Sequence, residues 1–351
     1  MKKFEHDGTQ AWVAKARICC CGNYEDGIGG DIHNRSEVPA TFEMRTMLAL
    51  GEIQKWSIGA LDVKTAFLHA KLDDKEDGIY LVKPPPLLVK LGLVREGVYW
   101  KLKAVLYGLR SGPKRWGIER DREIASRPVT LPSGSEGRCV QGESCRNLWM
   151  VVSSDGEIVA RFLVYVDDIV VSGSRDWVQA VLLSIAGIWT CKMNGILVPT
   201  GLDVSADGVP TVVDGIPMVA ALTFLGLTLE YVKDTLTMHQ HAYILTKLDG
   251  RNRLHGQGKA CLPTPTEGRF LPEKDEPDFE ANKKEAQKEV GTIQWLSLKS
   301  RPDISTVTAI AASCIAHNPK EALRLCDGIW KYLGATWEMR MFLKPSAQGS
   351  V

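Results

Sequence analysis

The chain has no surplus of charge of either sign: 43 Lys and Arg stand against 42 Asp and Glu, a formal net charge of +1. Read as a mean, that balance argues against the uniformly basic surface by which many nucleic-acid binders hold phosphate. It also lacks a long apolar run. The N-terminal Met1-Lys2-Lys3-Phe4-Glu5-His6-Asp7-Gly8 has none of the hydrophobic stretch of a secretory signal, and the most apolar later run is interrupted by Asp167 and Asp168. A soluble protein with no membrane partner is expected. None of the nine cysteines forms a C-x-x-C pair, and the triplet Cys19-Cys20-Cys21 cannot supply three ligands to one tetrahedral ion. An odd cysteine count without a signal favours reduced thiols and an intracellular, non-secreted compartment. There is no repeat of solenoid length and no low-complexity tract, which excludes repeat arrays and wholesale disorder.

What is present is ordinary globular material. The 351 residues are 44% hydrophobic and 24% charged, enough for about two domains or one large domain with extensions. Strand patterns fall at 12–18, 56–62, 79–82, 98–101, 161–165, 168–172 and 222–231, and helix patterns at 41–50, 64–69, 112–125, 175–188, 239–248, 283–298, 304–316 and 319–333. The strands lie in the first two-thirds of the chain. This distribution predicts an α+β catalytic part followed by a helical appendage. Residues 250–282, rich in Gly, Pro and charge, read as a connector, and 128–142, with its Pro132-Ser133-Gly134-Ser135-Glu136-Gly137 run, as a projecting loop.

Two places concentrate carboxylates. In Arg161-Phe-Leu-Val-Tyr165-Val166-Asp167-Asp168-Ile-Val-Val-Ser-Gly173, two apolar β-rich runs flank adjacent acids, which reads as a hairpin presenting them at its tip. A solvated Asp-Asp turn is the bland alternative, but acids set between such strands are costly unless a divalent cation offsets their repulsion. In Trp56-Ser-Ile-Gly-Ala-Leu61-Asp62-Val63-Lys64-Thr65-Ala66-Phe67-Leu68-His69, an apolar strand ends in one acid and turns at once into a short helical pattern. Asp62 there is either a helix N-cap or a ligand. With Asp167 and Asp168, 105 positions on, it would complete a set able to hold two Mg²⁺ ions roughly 3.5–4 Å apart. A third segment, from Lys101 to Arg127, carries eight Lys or Arg against three acids, with Tyr107 and Trp116 interleaved. Cations beside aromatic faces suit phosphates and bases, the alternative being a solvated basic helix face. A second basic stretch, Lys247, Arg251, Arg253 and Lys259, suggests another backbone-contacting surface, so the neutral mean conceals local excess.

In this order the three segments resemble motifs A, B and C of the reverse transcriptases of copia-type LTR retrotransposons. Leu61-Asp-Val-Lys-Thr-Ala-Phe-Leu68 is similar to motif A, Leu106-Tyr-Gly-Leu109 with Pro113 and Trp116 to motif B, and Tyr165-Val-Asp-Asp168 to motif C. Phe224-Leu225-Gly226 resembles the primer-grip hairpin, His239-Gln-His-Ala-Tyr243-Ile244 the start of the thumb, and Arg301-Pro-Asp-Ile304 with Lys331-Tyr-Leu-Gly334 the helical tail. A lone Tyr-x-Asp-Asp would be weak; the ordered set is specific.

The resemblance implies a right-hand polymerase, with fingers and an antiparallel-sheet palm over 1–232, a thumb-like segment over 233–262, and a charged connector and helical extension over 263–351. It implies RNA-directed DNA synthesis on an RNA or DNA template with a primer, using dNTPs and two Mg²⁺ ions, with Mn²⁺ as a substitute. Asp62, Asp167 and Asp168 would be catalytic and would hold the metals with the Val63 carbonyl. Lys15 and Arg17 resemble the residues that grip the β- and γ-phosphates, which of the two being left open. Thr65 and Ala66 would meet the triphosphate through backbone N–H groups, Phe67 would exclude a ribose 2′-hydroxyl, and Tyr107 and Gly108 would line the nucleotide floor. Arg110, Pro113, Tyr165, Val166, Leu225 and Gly226 would meet template or primer. The compartment implied is cytoplasmic, in a virus-like particle, or nuclear, with homo-oligomerisation open.

Departures from the pattern are a fingers lead-in of only fourteen residues before Lys15, Ile18-Cys-Cys-Cys21 in place of an aliphatic run, Arg110-Ser111 in place of Lys-Gln, and the 128–142 segment. The lack of RNase H, protease and integrase motifs reads as a piece of a larger polyprotein. The alternative function is a catalytically decayed fragment that binds nucleic acid without polymerising.

Overall fold

The computed structural model describes residues 2–6, 10–14, 17–22, 41–75, 78–199, 211–251, 256, 261–267 and 277–343. A hairpin of β1 (Lys2–His6) and β2 (Gln10–Ala14) is followed by α1 (Thr41–Ile53) and β3 (Ser57–Val63), which runs into a short 3-10 turn at Ala66–His69. β4 (Leu81–Val82) and β5 (Trp100–Lys101) pair on either side of α2 (Pro86–Lys90), and α3 (Gly112–Ala125) follows. Next come β6 (Pro128–Thr130), β7 (Glu136–Gln141), β8 (Leu148–Ser153), β9 (Ile158–Tyr165), β10 (Asp168–Gly173), α4 (Arg175–Ala186) and β11 (Cys191–Leu197). The short pair β12 (Val212–Val213) and β13 (Ile216–Pro217) precedes β14 (Ala221–Phe224), β15 (Leu227–Val232) and β16 (Thr235–His239). Helices α5 (His241–Asp249), α6 (Phe279–Lys299), α7 (Ser305–Cys314) and α8 (Pro319–Ala335) then lead to β17 (Met341–Phe342).

The main sheet has seven antiparallel strands in the order β11-β3-β10-β9-β8-β7-β6. β3 lies inside it and is covered on both faces, so it is almost continuously buried rather than alternately wet. Its side chains still alternate between two cores. Leu61 and Val63 join a cluster with Trp116, Trp149 and α4, while Ile58 and Ala60 join α1 and the β14–β15–β16–β17 sheet. α1 buries Met44, Met47, Leu48 and Gly51, the spacing of a single helical stripe. Gly59 owes its place to α4, since a Cβ there would lie 2.6 Å from Val178.

The helices α5 to α8 share a third core that includes Ile244, Leu248, Ile293, Leu325 and Trp330. Arg45 of α1 ties this layer to the sheet, donating to the carbonyls of Leu298 (2.9 Å) and Lys299 (2.6 Å), where α6 ends with unpaired acceptors. No helix among the described residues is long and apolar enough to cross a membrane.

The structure revises several sequence expectations. Residues 128–142 are not a projecting loop but the β6–β7 hairpin at the sheet edge. Pro132, Ser133, Gly134 and Ser135 form the turn, closed by Leu131 N–H to the Ser135 carbonyl at 2.9 Å, while Pro128 and Gly137 lie in the paired strands and Val129 is buried. The 222–231 strand pattern is two strands broken at Leu225-Gly226, and the helix expected from 239 begins at His241 because 235–239 continues that sheet. Much of the 250–282 connector lies outside the described residues.

His239 closes β16 and is buried. Its ring stacks on that of His241 with centroids 3.6 Å apart, its Nδ1 accepts from the His241 N–H (3.3 Å), and its Nε2 faces Glu230 Oε1 at 3.3 Å. A ring nitrogen that accepts carries no proton, so the folded state holds a neutral imidazole. Burial first, and the neighbouring His241 next, lower its pKa to about 4 against the opposing pull of Glu230. The unfolded histidine titrates near about 6.5, so it takes up a proton that the folded one refuses. The contribution is therefore fully present above that pH and is lost as pH falls toward 4. Thermal melts between pH 7.5 and 4 should show a decline across this window that is shallower in His239→Gln; parallel curves would contradict the assignment.

Candidate active site

Asp62, the penultimate residue of β3, stands directly opposite Asp168 on β10 in the antiparallel register. Directly opposed residues share a face, so the two carboxylates leave the same side of the sheet. Asp62 has the parity of Ile58 and Ala60, and Asp168 that of Val170, which places both on the face covered by α1 and the four-stranded sheet. Across the other edge of β3, Lys192 on β11 is also opposite Asp62, adding a cation to that face.

Asp167 reaches the group by a tight turn. Tyr165 and Asp168 pair directly, leaving only Val166 and Asp167 to connect β9 to β10. Val166 has φ +57°, a left-handed conformation that is strained for a β-branched side chain. Two hydrogen bonds hold the turn. The Trp116 indole N–H donates to the Val166 carbonyl at 2.7 Å, and the Val63 N–H donates to the Asp167 carbonyl at 2.8 Å.

The electrostatics follow from crowding acids in a half-buried place. Burial, then the charges of Asp167 and Asp62, push the Asp168 carboxyl up to about 6. Asp167 is also raised, chiefly by burial and by Asp62, with Arg17 acting in the opposite direction. Clustered oxygen donors of like sign are the kind of set that suits a hard divalent cation. Among the described residues, no three His, Cys, Asp or Glu side chains converge into a formed metal cage. The carboxylates thus fit such an ion in chemistry and charge, without a closed coordination shell.

Beside the acids lies a cluster of aromatic and cationic side chains. The Arg17 guanidinium sits 4.8 Å above the Tyr107 ring, and Phe67 meets Tyr107 edge to face at 5.3 Å. Burial raises the Tyr107 hydroxyl pKa, with Asp167 and Asp62 adding to the shift and Arg17 opposing it. The segment 17–22 docks on the Tyr107–Gly108 stretch through its backbone: the Cys20 N–H donates to the Tyr107 carbonyl at 2.7 Å. Gly22 and Gly108 allow that approach, because a Cβ on Gly108 would fall 2.1 Å from the Cys20 carbonyl oxygen and one on Gly22 2.0 Å from that of Gly108.

The other expected residues are distributed around this centre. Thr65 is left-handed at φ +55° just before the Ala66–His69 turn, and Ala66 is buried. Pro113 occupies the first turn of α3, where its missing N–H costs nothing, and Arg110 is exposed just ahead of it. Leu225 (φ +49°) and Gly226 (φ +73°) form the β14–β15 turn on the second sheet, with Trp295 3.8 Å from the point a Gly226 Cβ would occupy. Lys15 lies outside the described residues. Sequence reasoning missed Lys192, because its strand carries no clear pattern and only the register reveals its place. It also missed the partner role of Gly22.

Residues 6–184 match the family described as reverse transcriptase (RNA-dependent DNA polymerase). Over 348 residues, 98% of the chain, the sequence is 26% identical to the retrovirus-related Pol polyprotein from transposon RE1 of Arabidopsis thaliana, covering 20% of that protein. It is 25% identical over 360 residues to the corresponding polyprotein from transposon RE2 of the same plant (98% of the chain, 20% of the relative). Identity to that from transposon TNT 1-94 of Nicotiana tabacum is 26% over 342 residues, 95% of the chain and 23% of the relative. The chain spans about a fifth of the length of these curated relatives. With an antiparallel sheet that sets Asp62 against Asp168, and a family match across half its length, the chain belongs to the copia-type reverse transcriptases.

Proposed function

We propose that the chain is the polymerase core of a retrotransposon Pol polyprotein and adds deoxynucleotides to a primer 3′ end on an RNA or DNA template. The observation that carries this reading is the register that opposes Asp62 to Asp168, with Asp167 at the adjoining turn. On this reading, residues 1–232 are fingers and palm, 233–262 a thumb-like segment and 263–351 a connector and helical extension. Asp62, Asp167, Asp168 and the Val63 carbonyl would hold two Mg²⁺ ions, or Mn²⁺ in their place. Such ions, when bound, lower the pKa of a primer hydroxyl and neutralise phosphate charge.

The chain's own residues do the rest. Arg17, stacked over Tyr107, presents its charge beside the acids and pairs with the triphosphate, with Lys15 as the other candidate. The backbone of Thr65 and Ala66 flanks the same place, and Tyr107 and Gly108 form its floor. Lys192 offsets negative charge on the carboxylate face. Arg110 and Pro113, the Tyr165–Val166 backbone and the Leu225–Gly226 turn meet template and primer.

Extension of oligo(dT) on poly(rA) with Mg²⁺ tests the reading. Incorporation supports it; salt-sensitive duplex binding with no incorporation under Mg²⁺ or Mn²⁺ would instead identify a decayed binding fragment.

Phe67 sets a second expectation. Its ring is braced edge to face by Tyr107, so it cannot swing away from a ribose 2′-hydroxyl without losing that contact. Phe67→Val should raise the relative kcat/KM for ribonucleotides by at least about tenfold, roughly 1.4 kcal/mol of lost discrimination. Competitive incorporation of dNTPs and NTPs measures the ratio, and an unchanged ratio would remove Phe67 from the sugar site.

A further inference from the structure

We infer that Trp116 is a positioning residue whose indole N–H sets the backbone of the Val166–Asp167 turn, so that one face of α3 joins the nucleotide pocket to the carboxylates. The inference rests on the polymerase reading above and deepens it.

A buried indole usually finds some acceptor, so a hydrogen bond alone would be unremarked. Here the acceptor is the carbonyl of the one residue in the hairpin with a positive φ, at 2.7 Å. That carbonyl belongs to the peptide unit whose N–H is that of Asp167. Fixing it fixes the plane from which the Asp167 side chain departs. The next peptide unit is fixed independently, by the Val63 N–H on the Asp167 carbonyl. The catalytic acid is therefore clamped between two donors, one from α3 and one from the end of β3. A β-branched residue left to itself would leave the left-handed region, and the turn would relax with it.

Trp116 is well placed to act as the clamp. Its side chain is 1% exposed, and its ring packs on Trp189 at 5.1 Å and near His69 at 6.2 Å, so it has little freedom to follow a moving turn. One helical turn earlier on the same buried stripe lies Gly112, where a Cβ would meet Val105 at 3.0 Å and the Phe67 ring at 3.9 Å. The stripe thus runs from the neighbourhood of Phe67 at Gly112 to the Val166–Asp167 turn at Trp116. A displacement of the Tyr107–Arg110 loop, which leads into α3, would reach Asp167 through this bond.

Two substitutions remove the donor. Trp116→Phe keeps a buried ring of smaller size, and β-(3-benzothienyl)alanine at position 116 keeps the bicyclic shape with sulfur in place of the N–H. Both are compared with the full chain, alone and combined with Val166→Gly, which removes the cost of the left-handed turn. The readouts are kcat and KM for dTTP on poly(rA)/oligo(dT), Mn²⁺ binding by calorimetry without nucleic acid, and the melting temperature. We expect kcat to fall about 10- to 100-fold with KM for dTTP within about twofold, Mn²⁺ affinity to fall about tenfold, and Val166→Gly to restore most of both losses. The benzothienyl variant should do this with an unchanged melting temperature.

Parent-level kcat and Mn²⁺ affinity in the benzothienyl variant would overturn the inference. So would losses that track melting temperature and are not recovered by Val166→Gly, since they would mark Trp116 as packing only. A parent chain that neither extends primers nor binds Mn²⁺ would sink the polymerase reading itself, an outcome distinct from either.

Discussion

Asp167→Asn is expected to lower primer extension by at least about 10³-fold while leaving the protein as stable as the parent or more so. The two effects have one cause. In the folded chain, burial and the Asp62 charge raise the Asp167 pKa, so holding its carboxylate there costs the folded state stability when no cation is bound. Asparagine keeps the shape and removes that unfavourable charge, so the metal-free melting temperature should hold or rise. The same substitution removes an anionic oxygen donor that a divalent ion needs, so added Mg²⁺ should stabilise the parent and do so less in the variant. Asp168→Asn should show the stability gain more strongly, because its carboxyl is pushed to about 6. Paired melts with and without Mg²⁺, alongside extension assays, read both halves. A variant that extends primers within tenfold of the parent would remove Asp167 from the catalytic set.

What could be read from the sequence was local. The Asp62 and Asp167-Asp168 segments stood out because each places acids at the end of an apolar β-run, and the strand and turn that present them are built from those same neighbours. Helix α3 was bounded at Gly112–Ala125 by a Gly-Pro start and a buried stripe of Trp116, Arg120 and Ile124. What was hidden depends on pairing between distant segments. Lys192 comes opposite Asp62 only because β11 lies against β3 from 130 positions away, and β11 bends at Gly195 in a way that its sequence does not announce. The 128–142 segment misled for the opposite reason: turn-forming residues dominated a stretch whose few apolar side chains, such as Val129, find their partners only on α4 and the sheet. The Cys19-Cys20-Cys21 triplet is conspicuous in the sequence, yet what this stretch supplies is a backbone N–H for Tyr107, and the residue that matters for its docking is the plain Gly22 after it.

That docking yields the second large expectation. Gly108→Ala should detach residues 17–22 from motif B and raise the KM for dNTPs at least about tenfold, with little change in the melting temperature of the main sheet. Gly108 has φ +92°, and a Cβ there would lie 2.1 Å from the Cys20 carbonyl oxygen and 3.1 Å from its carbonyl carbon, both backbone atoms that no rotamer change can move. The conformation alone costs about 1–3 kcal/mol for a residue with a side chain, and the overlap adds to it. The least costly response is local. Ile18, Cys19 and Cys21 are exposed, so releasing the segment forfeits little burial, whereas the β3–β10–β9 core gains nothing by opening. Once released, Arg17 leaves the Tyr107 face and the pocket loses its cation, which is why KM rather than the carboxylate geometry should respond. Gly134→Ala supplies the control. It too has a positive φ, +88°, but a Cβ there meets nothing within 4 Å, so it should cost only the backbone strain and leave KM unchanged. Hydrogen exchange at the Cys20 amide, protected in the parent by the Tyr107 carbonyl, reports the detachment directly. If that amide stays protected in Gly108→Ala and the KM does not move, the 17–22 segment is not the wall of the nucleotide pocket.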